Sequence, residues 1–261
     1  MIEPFLDEKR KKIALLIDGD NAQPTLVDKI LAEAGKYGLV TIRRIYGDWT
    51  TVNMSGWKNA LHDSAIQAIQ QFRYTVGKNS TDSAMIIDAM DILHGGLVDG
   101  FCIVSSDSDY TRLATRIREM GFFVMGIGKR TTPKAFVNAC HMFIYTENLL
   151  PKSRPPRKKE THHGGSREER EEREEPPRKY DPLPILKGAF EMAMAEDGWA
   201  DLGVIGGYLR QLDPGFDPRT FGFRQLSQLI RAHSDLFELR YQEFEGRTDV
   251  FVRTKEERRE G

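Results

Sequence analysis

Acidic residues follow two of the apolar, strand-like runs in the first half of the chain. The first run leads into DGDN at residues 18–21, and the second leads into SSDSD at residues 105–109. Because neighbouring parallel strands end at the same edge of a sheet, we expect Asp18 and Asp107 to lie close together there. A cluster of carboxylates is therefore the first chemical feature that the sequence indicates.

A predicted helix over residues 81–93 supplies further acids. Asp82 lies in its first turn, and Asp88 lies further along the same helix. Asp18, Asp82 and Asp107 form the set that we expect to do chemistry, and Asp88 is a secondary candidate.

Two more acids have a structural explanation beside a chemical one. Asp109 precedes the next predicted helix and could cap it, a role that is compatible with metal binding. Asp20 could stabilise the turn after the first strand. We expect a site role for Asp109 and keep Asp20 as a secondary candidate.

Clustered carboxylates repel one another and need a reason to converge, which a divalent cation supplies. Oxygen ligands suit Mg²⁺ or Mn²⁺, and such an ion can activate a water and stabilise the leaving oxygen in phosphodiester hydrolysis. Because no His or Cys accompanies these acids in the sequence, zinc is not expected. The predicted cofactor is Mg²⁺ or Mn²⁺.

The segments that must position these acids alternate between apolar runs and amphipathic stretches. This order predicts an α/β fold with a mostly parallel sheet and helices on both faces. The predicted strands are 13–17, 39–46, 72–76, 101–104, 122–127 and 143–145. The predicted helices are 24–36, 56–69, 81–93, 110–120 and 133–139.

The composition changes sharply after residue 150. Residues 151–180 contain almost no apolar side chain, which predicts a disordered, mixed-charge linker between domains at 11–150 and 181–255.

The composition of the whole chain limits its partners. Over all 261 residues the formal net charge is −1, so an anionic partner would have to be held by local basic patches. The two cysteines are too few for a disulfide framework.

The last part of the chain predicts a small winged-helix-like α+β domain. Three short helices (183–196, 202–209 and 222–232) precede two strand-like pieces (237–244 and 249–253). Phe223 could stack on a base, although its spacing is more typical of a core residue. Five arginines are left for a surface that could meet phosphates: Arg210, Arg219, Arg224, Arg231 and Arg240.

The sequence also predicts where the protein resides. Its start is polar and lacks the apolar segment of a signal peptide, and no apolar run approaches the roughly 20 residues of a membrane span. We expect a cytoplasmic protein without membrane association.

The motifs together resemble the NYN family of PIN-like nucleases. LLIDGDN at 15–21, K-x-x-x-D at 78–82 and IVSSDSDY at 103–110 agree with the family in order and spacing. The resemblance covers about residues 12–150 and implies a PIN-like, Rossmann-like fold and metal-dependent RNA cleavage. It implies that the catalytic and metal-binding aspartates are Asp18, Asp82, Asp107 and Asp109. The expected substrate-binding residues are Asn21, Lys78 and Ser106, and many members have glycine at the last position.

The C-terminal part resembles the LOTUS, or OST-HTH, domain. The resemblance spans about residues 180–253 and is carried by FDPRTFGF at 216–223 and LSQLI at 226–230. It implies RNA binding or, in some members, docking to a helicase partner.

Three functions compete. The favoured one is a metal-dependent ribonuclease with a C-terminal RNA-binding module. The second is a non-catalytic RNA-binding or adaptor protein built from the same two domains. The third is a phosphatase of the haloacid dehalogenase type, because Asp18 and Asp20 imitate its D-x-D motif, but no cap domain is visible. The sequence leaves open the RNA substrate, a homodimer and a protein partner of the C-terminal domain.

Overall fold

A six-stranded parallel sheet forms the centre of the first part of the chain. The computed structural model describes residues 10–72, 80–150, 181–244 and 247–255. The strand order is β3-β2-β1-β4-β5-β6, and every neighbouring pair is parallel. The strands are β1 Lys12–Asp18, β2 Leu39–Gly47, β3 Gln67–Gln70, β4 Gly100–Val104, β5 Phe123–Gly128 and β6 Met142–Tyr145.

Both faces of this sheet are buried, as the continuous apolar runs predict. Along β1, Ile13, Leu15 and Ile17 pack into one apolar cluster, and Ala14 and Leu16 pack into a second cluster. All five are at most 2% exposed. The helices that cover the sheet are α1 Val27–Ala34, α2 Trp57–Ser64, α3 Ser80–His94, α4 Thr111–Glu119 and α5 Lys134–Ala139. The predicted α/β fold is confirmed.

The strand order reverses between β1 and β4. β2 and β3 extend the sheet on one side of this point, and β5 and β6 extend it on the other. Ile17 pairs with Val104, so the residues that follow the two strands emerge beside each other. Ligands of open parallel sheets bind in the crevice at such a reversal, outside the carboxyl ends of the strands. The fold therefore places residues 18–21 and 105–109 at one ligand-binding edge.

The helix predicted at 56–69 is wrong in its second half. α2 ends at Ser64, and Ala65 follows in the left-handed conformation with φ 50° and ψ 48°. This turn redirects the chain, and residues 67–70 become β3, which pairs with β2. Of the strand predicted at 72–76, Phe72 lies outside any strand, and residues 73–76 lie outside the described residues.

Replacing Ala65 with glycine is expected to raise the free energy of unfolding by about 0.5–1 kcal/mol. A side chain costs about 1–2 kcal/mol in the left-handed conformation, and the extra chain entropy of glycine offsets part of that gain. Urea denaturation measures the change. The control is Ala32→Gly at an exposed position of α1, which should lose about 1 kcal/mol. A loss of stability in both variants would contradict the prediction.

The second part of the chain packs three helices against a three-stranded antiparallel sheet of order β7-β9-β8, as the winged-helix outline predicts. The helices are α6 Leu183–Ala193, α7 Leu202–Leu212 and α8 Leu226–Ala232, and the strands are β7 Ala200–Asp201, β8 Phe237–Phe244 and β9 Arg247–Thr254. β7 was not predicted. The helix predicted to begin at residue 222 begins at Leu226, because Gly222 ends a preceding turn with φ 97°. Phe223 is partly buried against the core.

Arg219 joins the two parts of the chain. Its Nη1 and Nη2 atoms each donate to a carboxylate oxygen of Glu33 on α1, both at 3.1 Å. Its Nε atom donates to Asp217 at 2.9 Å. We call these three side chains the Arg219 clamp. The expectation that Arg219 faces RNA phosphate is wrong, because both edges of its guanidinium are occupied by carboxylates within the protein.

Further contacts surround the Arg219 clamp. The backbone N–H of Phe143 donates to the carbonyl of Pro214 at 2.7 Å, and Asn148 Nδ2 donates to Thr220 Oγ1 at 3.0 Å. Gly215 lies so close to Tyr145 that a Cβ atom at this glycine would stand 2.7 Å from the tyrosine hydroxyl. The two parts therefore dock through polar contacts and close backbone approach.

Two further expectations from the sequence concern the linker and membrane spans. The predicted linker at 151–180 lies outside the described residues. Among the helices of the described segments, none combines the length and the apolar character needed to span a bilayer.

Candidate active site

Asp18 lies at the carboxyl end of β1 with its side chain fully buried. Three donors hold its carboxylate. Asn21 Nδ2 donates to Oδ2 at 2.6 Å, Ser105 Oγ donates to the same oxygen at 2.8 Å, and the backbone N–H of Asp20 donates to Oδ1 at 3.1 Å. Burial raises the pKa of Asp18, and these hydrogen bonds act in the opposite direction. The carboxylate is fixed in one orientation beneath the sheet edge.

Three other aspartates converge near this position. Asp82, Asp107 and Asp109 each offer a carboxylate oxygen, and these oxygens lie within 4.8 Å of one another. We call them the acid trio. Asp82 and Asp107 are half-buried, and Asp109 is exposed. In the described segments, no other group of three His, Cys, Asp or Glu side chains comes together in this way.

Local hydrogen bonds explain how the acid trio is held. The Tyr110 hydroxyl donates to Asp82 Oδ1 at 2.7 Å. The backbone N–H of Asp109 donates to Asp107 Oδ1 at 2.9 Å, as expected for a residue that caps a helical turn. Ser105 Oγ accepts from the backbone N–H of Asp107 at 3.0 Å while it donates to Asp18. A single serine therefore connects the buried acid to the loop that carries two of the trio.

The electrostatics of the acid trio favour a cation. Burial raises the pKa of Asp82, and the negative charges of Asp107, Asp109 and Asp20 raise it further. Burial also raises the pKa of Tyr110, so its hydroxyl stays protonated and remains a donor. Carboxylate oxygens without His or Cys are the donor set that Mg²⁺ and Mn²⁺ prefer. The residues present therefore fit the divalent ion that the sequence predicts.

Not every predicted site residue lies in the acid trio. Asp18, which was predicted to bind the metal together with the trio, is outside it, and metal binding by Asp18 stays a prediction. Asn21 uses its amide to orient Asp18, and Ser106 Oγ accepts from the backbone N–H of Lys129 at 2.8 Å. Contacts of these two residues with a substrate stay predictions. Lys78 lies outside the described residues.

The two secondary candidates have different positions. Asp20 is exposed, and its charge reaches Asp82, which places it beside the acid trio. Asp88 lies elsewhere: Arg44 Nη1 forms an ion pair with its Oδ1 at 2.6 Å, and the Tyr46 hydroxyl donates to its Oδ2. Asp88 holds α3 against β2, and the structure does not bring it to the candidate site.

Sequence reasoning missed three residues at this edge. Ser105 and Tyr110 flank the predicted acids, but nothing in their spacing indicates the hydrogen bonds that they donate. Lys129 directly follows β5 and lines a small cleft together with Asn21 and Ser106. The position of a lysine at the end of a third parallel strand was a signal that could have identified it.

Comparisons with known proteins agree with this organisation. The family model for the NYN domain matches residues 12–149, and the model for the OST-HTH/LOTUS domain matches residues 182–247. None of the curated proteins compared with the chain matches it.

Two solved structures are similar to parts of the chain. A crystal structure of a protein of unknown function from Vibrio parahaemolyticus is 18% identical, covers 56% of this chain and 99% of its own, and has a TM-score of 0.48. A solution NMR structure of an uncharacterized protein from Nitrosomonas europaea is 28% identical, covers 38% of this chain and 98% of its own, and has a TM-score of 0.29.

Proposed function

Because the chain belongs to the NYN domain family, whose model matches residues 12–149, we propose that it is a metal-dependent ribonuclease. The NYN domain is part of the PIN-like nuclease superfamily, and the OST-HTH/LOTUS domain at 182–247 adds an RNA-binding module. The observation that carries the proposal is the acid trio, whose carboxylates converge at the point where the strand order reverses.

Asp82, Asp107 and Asp109 would hold Mg²⁺ or Mn²⁺, and Asp18 supports the site through Ser105, which bonds to both Asp18 and the backbone of Asp107. When bound, the ion supplies an activated water and stabilises negative charge on the scissile phosphate. The Tyr110 hydroxyl fixes the orientation of Asp82, and Ser105 fixes Asp18 and the loop before Asp107. Fixed ligands of this kind keep the geometry of the site constant during the reaction.

Lys129 is the residue that we assign to substrate phosphate. Its side chain is exposed at the same sheet edge, and the cleft that it shares with Asn21 and Ser106 adjoins the loop of Asp107. An ammonium group here can neutralise a phosphate next to the scissile one.

The C-terminal part offers a second surface for RNA. The guanidinium of Arg240 lies 4.3 Å from the ring centroid of Trp199, and that of Arg253 lies 4.7 Å from the same centroid. Contact with the ring leaves the N–H groups of Arg240 able to meet phosphate. Arg253 Nη2 already donates to Glu238 Oε2 at 2.7 Å, so Arg240 is the stronger candidate. We propose that this surface contacts RNA without preference for its base sequence.

The structure of the site weighs against a phosphatase of the haloacid dehalogenase type. In that reading Asp18 would be the nucleophile, but its carboxylate is fully buried and both of its oxygens accept hydrogen bonds. The alternative of a non-catalytic RNA-binding protein is disfavoured by the acid trio, because three converging carboxylates repel RNA phosphate unless a cation lies between them.

Purified protein is expected to cleave labelled single-stranded RNA with Mn²⁺ or Mg²⁺ and to lose this activity in EDTA. The reason is that the acid trio without a cation neither activates water nor tolerates phosphate. The measurement is the initial rate of cleavage with each metal and with EDTA. Tight RNA binding without cleavage under any metal would overturn the ribonuclease proposal in favour of the non-catalytic alternative.

A further inference from the structure

A cavity of about 480 Å³ lies between the two parts of the chain. Arg130, Lys134 and Tyr145 line it from the first part. Phe216 and Phe221 line it from the second part, near the Arg219 clamp. Its volume is in the range of ordinary small-molecule sites, which occur preferentially between domains.

One side of the cavity carries hydrogen-bond donors that the protein itself does not use. Arg130 and Lys134 are exposed, and within the described segments neither side chain has an ion-pair partner. The charge of Arg130 reaches the Tyr145 hydroxyl, whose pKa is raised by burial. A guanidinium, an ammonium and a phenol that line one cavity match the oxygens of a phosphate group.

The second part of the chain supplies aromatic side chains to the cavity. The rings of Phe216 and Phe221 lie 5.6 Å apart and are tilted by 39°. Val137 on α5 and Ile185 on α6 add apolar side chains to the lining. A wall of this kind suits a flat ring, because every nucleobase can pack a π-face against an aromatic side chain.

Two aspartates, Asp213 and Asp217, also line the cavity, and they differ in how strongly they would repel an anion. Asp217 is neutralised by Arg219 in the Arg219 clamp. Asp213 accepts the backbone N–H of Gly215 at 2.9 Å and stands at the turn beneath Tyr145. A carboxylate at this position can accept a hydrogen bond from a ribose hydroxyl or a base amino group.

We infer that this cavity binds one unpaired nucleotide of the RNA substrate, with its phosphate at Arg130 and Lys134 and its base against Phe216 and Phe221. The inference rests on the proposed ribonuclease function and adds a substrate class to it. A base that is paired in a duplex cannot enter the cavity, so the site selects single-stranded RNA.

The cavity adjoins the candidate active site through α5 and the loop before it. Phe136 on α5 packs against Tyr110 with ring centroids 6.4 Å apart, and Tyr110 donates to Asp82. Lys129, which donates to Ser106 through its backbone, directly precedes Arg130. Because Lys129 and Arg130 follow one another after β5, one RNA strand can run from Lys129 at the candidate active site to Arg130 at the cavity.

The first test is calorimetric titration of the full-length protein with uridine 5′-monophosphate in EDTA, where cleavage cannot interfere. The wild type should bind the nucleotide, and the double variant Arg130→Glu with Lys134→Glu should bind it at least about tenfold more weakly, because each change replaces an attraction to phosphate with a repulsion. The matched control is Lys58→Glu with Lys187→Glu, which reverses two exposed charges outside the cavity. Equal affinity of wild type and cavity variant, or no binding by the wild type, overturns the inference.

The second test locates the base. An oligouridine that carries one 4-thiouridine is irradiated with the protein in EDTA, and the cross-linked peptide is identified by mass spectrometry. Cross-links on the peptide that contains Phe216 and Phe221 support the inference, and cross-links confined to other peptides overturn it.

RNA cleavage with Mn²⁺, measured on the same variants, separates the two proposals. An inactive wild type that still binds the nucleotide refutes only the ribonuclease proposal. An active wild type that does not bind the nucleotide refutes only the cavity site.

Discussion

Replacing Asp107 with asparagine is expected to lower the rate of RNA cleavage roughly 100- to 1000-fold. A metal ion contributes several kcal/mol of transition-state stabilisation, and each 1.36 kcal/mol corresponds to a factor of ten in rate. Asparagine has nearly the shape of aspartate but carries no charge, so the acid trio would lose a third of its negative charge.

The fold should survive this change. The Asp107 carboxylate accepts the backbone N–H of Asp109, and the amide oxygen of asparagine can accept the same hydrogen bond. In EDTA the melting temperature should stay equal or rise slightly, because one source of repulsion is gone. Added Mn²⁺ should raise the melting temperature of the wild type but not that of the variant, since only the wild type binds the ion tightly.

Asp91→Asn is the matched control for this prediction. Asp91 is an exposed acid on α3, the helix that also carries Asp82, and it is not part of the acid trio. It should keep the full cleavage rate and the full thermal response to Mn²⁺. Unchanged cleavage by Asp107→Asn would refute the assignment of the active site.

Replacing Arg219 with alanine is expected to lower the free energy of unfolding by about 3 kcal/mol. The Glu33 and Asp217 side chains are each 7% exposed, and the change leaves both carboxylates buried without the guanidinium. Burial acts to raise the pKa of Glu33, but hydrogen bonds from Arg219 and Lys36 hold this pKa below its usual value. Loss of Arg219 removes much of that compensation, and urea denaturation at neutral pH measures the cost.

Two further variants make this prediction specific. Glu33→Gln combined with Arg219→Ala should recover part of the loss, because a neutral amide costs less to bury than an unpaired carboxylate. Arg224→Ala removes an exposed arginine of the same region and should change the free energy of unfolding by less than about 0.5 kcal/mol. If Arg219→Ala costs no more than this control, the Arg219 clamp does not stabilise the fold.

The parallel sheet could be predicted because its strands are uninterrupted apolar runs. Ile13, Leu15 and Ile17 face one side of the sheet while Ala14 and Leu16 face the other, and a strand buried on both sides leaves this continuous pattern in the sequence. The positions of the acid trio could be anticipated for a related reason. Asp107 and Asp109 lie in the loop that follows the buried strand β4, so the sheet edge fixes where they emerge.

The features that could not be predicted depend on contacts between residues distant in sequence. No local signal indicates that Ala65 adopts the left-handed conformation, since alanine favours helices and the surrounding spacing continues the pattern of α2. Arg219 has the composition of a surface residue, and only the docking of the two parts shows that it pairs with Glu33. Ser105 lies in the predicted loop, but its hydrogen bond to Asp18 joins two residues 87 positions apart, and local spacing cannot indicate such a contact.

The Arg219 clamp also constrains the evolution of this sequence. Glu33 and Arg219 are separated by 186 positions in the sequence, yet each offsets the cost of burying the other. A recombination event that exchanged the C-terminal part for that of a distant relative would leave the buried Glu33 carboxylate with Lys36 alone, unless the new segment brought its own cation. The two halves of the molecule are therefore expected to be inherited as a pair, and substitutions at these two positions are expected to occur together.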